Sequence, residues 1–230
     1  MIDIENLNKD YGKISALKNI NLSLEDSRVV GLLGPNGSGK TTLIKILTGM
    51  ISHYSGTVLI DGNKIGPKTK SIVSYLPDQL YYEKWMKVLD LRNSFANLFD
   101  DFLIDKFDNL VEKFQIRRDE YIYKLSKGNQ EKLQLALALS RNAKVFIFDE
   151  PIGGVDPALR VLILDTIMEN RNSNSLTIIS THQIFDVEKL FDEVIFLKEG
   201  KIVLHKNTEE LLIESNKSLL DLFIEVFRYV

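Results

Sequence analysis

The stretch GPNGSGKTT, Gly34 to Thr42, decides how this chain is read. It satisfies the pattern G-x-x-x-x-G-K-[ST] through Gly34, Gly39, Lys40 and Thr41. Its flanks matter as much as its letters. VVGLL (Val29 to Leu33) before it reads as a strand, and LIKILTGM (Leu43 to Met50) after it reads as a helix that stops near Gly49. A strand, a glycine-rich loop and a helix N-terminus in that order turn successive backbone amides inward, and the helix dipole favours an anion at the same place. The predicted phosphate cradle comprises Gly34, Pro35, Asn36, Gly37, Ser38, Gly39, Lys40, Thr41 and Thr42. Lys40 is expected to reach the β and γ phosphates of ATP, and Thr41 to offer its hydroxyl to Mg²⁺.

Two further segments carry chemistry. KVFIFDEP (Lys144 to Pro151) is an apolar run ending in adjacent carboxylates, which places Asp149 and Glu150 at the carboxyl edge of a sheet, where open α/β folds bind ligands. Asp149 suits a Mg²⁺ ligand. Glu150 suits the polarisation of a water that attacks the γ-phosphate. His182, in STHQ, follows the apolar strand TIIS and is expected to emerge at the same edge.

Working outward, short β-branched and aliphatic runs recur between helical patterns at Val29 to Leu33, Val58 to Ile60, Ile72 to Leu76, Val145 to Phe148, Thr177 to Ile179 and Val194 to Leu197. The runs at Val29, Val145 and Thr177 are nearly all apolar, as central strands of a parallel sheet are. Met1 to Leu7 and Ile20 to Leu24 alternate apolar and polar residues, which suits antiparallel strands with one wet face. From about Asp78 to Leu139 the period becomes helical, through Leu89, Leu91, Phe95, Leu98, Phe99, Phe102, Phe107, Leu110, Val111 and Phe114. The expected fold is therefore α/β, a P-loop NTPase core with a mostly parallel sheet, an N-terminal antiparallel β-subdomain and an inserted helical subdomain. Residues 1–77 and 140–230 would form the core and β-subdomain, and 78–139 the helical part. SLLDLFIEVFRYV at the C-terminus places Leu219, Leu222, Phe223, Val226, Phe227 and Val230 on one stripe, a helix that packs on the core or meets a partner.

Composition narrows the rest. The chain has 230 residues, ample for a core, and no cysteine, which excludes disulfides and thiolate metal sites. With 29 basic and 32 acidic residues, its net charge of -3 gives no overall field for gathering nucleic acid, and no nucleic-acid partner is expected. The acidic N-terminus, MIDIENLNKD, lacks the basic start and apolar stretch of a secretion signal, so the chain is expected to begin at Met1 and stay in the cytoplasm. No stretch approaches the roughly 20 apolar residues of a spanning helix.

LSKGNQEK (Leu125 to Lys132) resembles the LSGGQ signature of the ATP-binding subunits of ABC transporters, and the resemblance covers essentially the whole chain in the family's order. It implies an ATPase that dimerises on ATP, with an identical or a different ATPase chain. Separate integral membrane subunits would hold it at the inner face of the membrane. It also implies that Ser126, Gly128 and Asn129 meet the γ-phosphate of the opposite chain. Tyr11 in KDYGK resembles the aromatic that stacks on adenine, or is an ordinary loop tyrosine. Asp156 in GGVDP resembles the aspartate that crosses the dimer, and as the residue before Pro157 it also suits a helix N-cap.

The departures carry information. Lys127 and Asn129 give LSKGN, and YLPDQ puts Asp78 where the family usually has a glutamine that touches Mg²⁺, with Gln79 one residue late. Either residue can fill that role. Both departures resemble exporters of peptides, antibiotics and multidrug substrates. An ABC importer and a soluble ABC ATPase of the iron–sulfur assembly type are the competing readings. Leu80, Tyr81, Tyr82 and Trp85 form an aromatic cluster suited either to a membrane subunit or to the core.

Overall fold

The computed structural model describes residues 1–79, 82–83, 85–185 and 187–228. In chain order the elements are β1 (Ile2–Tyr11), β2 (Ile14–Leu24), β3 (Val29–Leu33), α1 (Lys40–Leu47), β4 (Ser55–Ile60), β5 (Asn63–Lys64), α2 (Pro67–Ile72) and β6 (Val73–Leu76). There follow α3 (Val88–Leu98), α4 (Ile104–Lys113), α5 (Lys127–Leu139), β7 (Val145–Asp149), α6 (Pro157–Asn170), β8 (Leu176–Thr181), β9 (Glu193–Lys198), β10 (Lys201–Asn207), α7 (Thr208–Ser215) and α8 (Leu219–Phe227).

The apolar runs become a sheet ordered β10-β9-β3-β8-β7-β6, in which β9, β3, β8, β7 and β6 are parallel and β10 is antiparallel. Every residue of β3, β7 and β8 is buried, as their nearly all-apolar sequences predict for strands covered on both faces. The register aligns their carboxyl ends, Leu33 opposite Thr181 and Asp149 opposite Ser180. Three separate segments therefore release their next residues at one edge. A second, antiparallel sheet ordered β2-β1-β4-β5 alternates buried and exposed residues in its first strands, matching the expected N-terminal β layer.

Helices α3, α4 and α5 form a layer whose centre is aromatic. Phe95 and Phe102 are 5.9 Å apart, and Phe102 and Phe107 5.8 Å apart, centroid to centroid. The sequence period overran the helix ends here: Phe99 caps α3, Phe102 lies in the link to α4, and Leu98 is 71 % exposed. Two hydrogen bonds tie α5 to β6 and the residue after it, the buried Ser74 Oγ donating to the Ala138 carbonyl at 2.7 Å and Gln134 Nε2 to the Pro77 carbonyl at 2.9 Å.

The C-terminal stripe packs inward. Phe223 and Phe227 of α8 stand 5.8 and 5.7 Å from Phe196 of β9, and 4.3 Å from each other. Val230, the last residue of that stripe, lies outside the described residues, as do Leu80 and Tyr81 of the aromatic cluster. Phe227→Ala should cost about 3 kcal/mol of stability by leaving a cavity on β9. A urea midpoint that did not move would show that α8 adds nothing to the core.

Candidate functional site

Strand β3 ends in the glycine-rich loop, and the loop's shape depends on residues without side chains. A Cβ on Gly34 would lie 2.4 Å from the Leu197 carbonyl oxygen, and Gly39, at φ 112°, caps α1 where a Cβ would lie 2.7 Å from the Ala16 carbonyl oxygen. The Gly200 amide donates to the Ser38 carbonyl at 2.9 Å, fixing the loop against the β9–β10 turn. Lys40 is buried. Its ammonium donates to the Gly34 carbonyl at 2.7 Å and the Pro35 carbonyl at 3.3 Å, and stands 3.5 Å from Glu150 Oε1.

Asp149, the last residue of β7, is completely buried. The Ser180 hydroxyl donates to its Oδ1 at 2.5 Å, while Oδ2 has no hydrogen-bond partner. Burial pushes its carboxyl above the usual range; the charges of Asp78 and Glu150 add to this, and the Ser180 and Thr41 hydroxyls oppose it. A carboxylate with one free oxygen beside a threonine hydroxyl fits a hard divalent cation. Among the described residues no group of three or more histidines and carboxylates could hold a metal unaided.

Because the folded Asp149 holds its proton more tightly than the unfolded one, its ionisation opposes folding. The penalty is absent below the ordinary pKa of 3.8 and grows as pH rises through the raised folded value. Asp149→Asn should therefore stabilise the nucleotide-free protein at pH 7. The gain should disappear near pH 4, and thermal unfolding across pH measures both. Equal stability of the two proteins at pH 7 would mean that the buried charge is compensated in a way this geometry does not show.

Glu150 follows at φ 51°, a left-handed backbone rare outside glycine. Its amide donates to the Ser180 carbonyl and hydroxyl, each at 3.1 Å, which holds this conformation. The side chain then lies between Lys40 and His182, with His182 Nδ1 3.0 Å from Oε2. His182 is 44 % exposed, so it closes the rim of the site.

A cleft of about 580 Å³ opens over this edge, bounded by Tyr11, the loop from Asn36 to Thr42, Asp78, Glu150 and the Glu199-Gly200 turn. Of the two residues after YLP, only Asp78 lines it; Gln79 is exposed outside it. Tyr11 is half-exposed, with the Lys9 ammonium 4.8 Å from its ring centroid. A larger groove of about 950 Å³ between α4 and the end of α6 contains none of these groups, so size does not select the site.

Ser126, Gly128, Asn129 and Asp156 do not line the cleft. Ser126 caps α5, its hydroxyl accepting from the Asn129 amide at 3.3 Å, and Asp156 caps α6, accepting from the Leu159 amide at 3.0 Å. Lys127 reaches between the two caps to the Gly154 carbonyl at 3.5 Å.

Sequence reasoning gave no role to Ser180, although it orients Asp149 and Glu150 together; a serine ending an apolar strand was the available signal. Gln134 was missed as well, since nothing local marks a buried glutamine that holds the segment before Asp78.

The model of the family described as ABC transporter matches residues 17–153. An uncharacterised ABC transporter ATP-binding protein of Methanocaldococcus jannaschii is 36 % identical over 215 residues, covering 91 % of this chain and 79 % of the relative. The lantibiotic transport ATP-binding protein SrtF of Streptococcus pyogenes is 33 % identical over 225 residues, covering 92 % and 95 %. A solved ATP-binding subunit of an ABC transporter superposes with a TM-score of 0.89 over 99 % of this chain and 100 % of its own, at 21 % identity, a likeness of fold. The family match and the phosphate edge agree, and the chain belongs to the ATP-binding, ATP-hydrolysing subunits of ABC transporters.

Proposed function

We propose that this chain hydrolyses ATP in a dimer and drives export of an amphiphilic substrate, of the peptide or antibiotic kind, through separate membrane subunits at the inner face of the cell membrane. The observation that carries the catalytic part is the meeting of Lys40, Asp149, Glu150 and His182 at one sheet edge beside the glycine-rich loop. The amides and glycines from Gly34 to Thr42 cradle the phosphates, and Tyr11 stacks on the adenine at the far end of the cleft. Thr41 and Asp149 would hold Mg²⁺ with Asp78 nearby, supplying charge neutralisation between the phosphates. Lys40 exchanges the Gly34 and Pro35 carbonyls for phosphate oxygens. Glu150 then orients the attacking water, and His182 holds the Glu150 carboxylate on its other side.

The dimer reading is supported by Ser126, Gly128 and Asn129 at the N-terminus of α5, and Asp156 at the cap of α6, lying outside the cleft of their own chain. The N-terminus of α5 suits the γ-phosphate of a second chain. Residues 78–139 would move as the helical unit against the core of 1–77 and 140–230, pulled through Gln134 and the segment before Asp78. Among the described residues no helix is long and apolar enough to cross a membrane, so the path for cargo lies in another chain. Export is favoured over import by LSKGN and by the acid after YLP, and by similarity to a lantibiotic transport protein.

The test is purification of the Glu150→Gln chain with ATP in mild detergent, followed by mass spectrometry. A polytopic membrane protein in stoichiometric amount supports transport, and uptake or efflux by vesicles of the pair gives the direction. Recovery of only soluble assembly factors would leave the ATPase and remove transport.

A further inference from the structure

Tyr11, at the far end of the phosphate cleft, is held by contacts that core packing does not require. Two residues before it on β1, Lys9 places its ammonium 4.8 Å from the Tyr11 ring centroid. Tyr11 lines the cleft and Lys9 does not, so the ammonium covers the ring from behind. Tyr11 is 48 % exposed, as an aromatic with one face covered and the other open is.

The same ammonium donates to the His53 carbonyl at 2.7 Å. His53 belongs to the segment leaving α1, where the Met50 and Ile51 amides both donate to the Lys45 carbonyl, at 2.8 and 3.0 Å. Lys9 therefore connects the Tyr11 ring to the helix that begins in the phosphate loop. A second tie runs through β2. Lys9 pairs with Leu17 and Asp10 with Ser15, which leaves Ala16 as the extra residue of a bulge. Its carbonyl oxygen would stand 2.7 Å from a Cβ on Gly39 and 2.6 Å from one on Gly200, so it packs on the phosphate loop and the β9–β10 turn at once. Tyr11 pairs with Ile14 at the end of that ribbon. Lys9, Tyr11 and His53 all lie outside the buried core, so the array contributes direction and not apolar burial.

We propose that Lys9 is a positioning residue for the nucleobase. Its ammonium fixes the rear face of Tyr11, so the front face meets a base already oriented, at a set distance from the loop that takes the phosphates. The charge behind the ring also draws its π electrons rearward, which favours an electron-rich purine stacked on the front. This role rests on the ATP-binding reading above, with Tyr11 at the adenine.

The test compares ATP with inorganic tripolyphosphate, which carries the phosphates without a base, by isothermal titration of the full chain. Lys9→Met keeps the length of the stem and removes both the charge and the donor. It should weaken ATP about fivefold and leave tripolyphosphate within about 1.5-fold, and Lys9→Arg should restore ATP binding. In a Tyr11→Ala background, Lys9→Met should cost nothing further. Unchanged ATP affinity in the Lys9→Met protein, equal weakening of the two ligands, or the full loss repeated in the Tyr11→Ala background overturns the role. The unsubstituted chain separates the two readings. Its failure to bind ATP removes both, whereas ATP binding that is indifferent to Lys9 removes the positioning role alone.

Discussion

Glu150→Gln should bind ATP as the unsubstituted chain does and turn it over about 10³-fold more slowly. Glutamine matches the length and volume of the glutamate, so the turn after β7, the amide bonds to Ser180 and the left-handed backbone at φ 51° stay in place. The loss is one of charge. The carboxylate lies 3.5 Å from Lys40 and 3.0 Å from the His182 ring, two groups that fix its direction, and a neutral amide orients an attacking water poorly. ATP affinity should change little, because the cradle of Gly34 to Thr42 is untouched, and an ATP-dependent dimer should accumulate for want of hydrolysis. Steady-state phosphate release and size-exclusion chromatography with ATP measure both effects. Turnover within a factor of about 10 of the original would take Glu150 out of this role and leave positioning by Lys40 and His182 as the source of the rate.

That so much of this site is legible in the sequence has a physical cause. Each part is a contiguous apolar strand leading directly into its chemistry, VVGLL before Gly34, VFIF before Asp149 and TIIS before His182. In a parallel sheet, strands buried on both faces deliver the residues beyond their carboxyl ends to one edge. The contacts between segments are not legible, because no local pattern encodes them. Ser180 donating to Asp149 and Gln134 to Pro77 join residues far apart in sequence, whose relation exists only after the sheet forms. The choice between Asp78 and Gln79 is of the same kind: both come after β6, and only the direction of the chain leaving the strand puts Asp78 on the cleft.

Strand β10 escaped the sequence for the opposite reason. Its residues Lys201–Asn207 alternate only between exposed and half-buried, since it closes an edge and buries no full face. Its place is set by pairing with β9 across the Glu199-Gly200 turn, and that turn in turn supports the phosphate loop through Ser38. The helical layer is legible as a period and not as boundaries. Phenylalanines at 99 and 102 keep the spacing of a helix while serving as the packed link between two of them.

Replacing Ser126 by phenylalanine separates the two chains' contributions to one reaction. Ser126 lies off the cleft of its own chain, at the N-cap of α5, where its hydroxyl accepts from Asn129 and the exposed amides and Lys127 gather positive potential. If that end meets the γ-phosphate bound by a second chain, a phenyl ring there blocks closure without touching the cradle that binds ATP first. Turnover should fall at least about 100-fold, the scale of losing one preorganised donor or more, while ATP binding to the single chain stays within about twofold. The lost cap costs about 1 kcal/mol of helix stability, so Ser126→Ala serves as its control. The alanine protein loses the cap and keeps the space, and should retain far more activity than the phenylalanine protein. Equal activities would trace the effect to the cap. Loss of ATP binding in the phenylalanine protein alone would place Ser126 in the cleft of its own chain, against the geometry seen here.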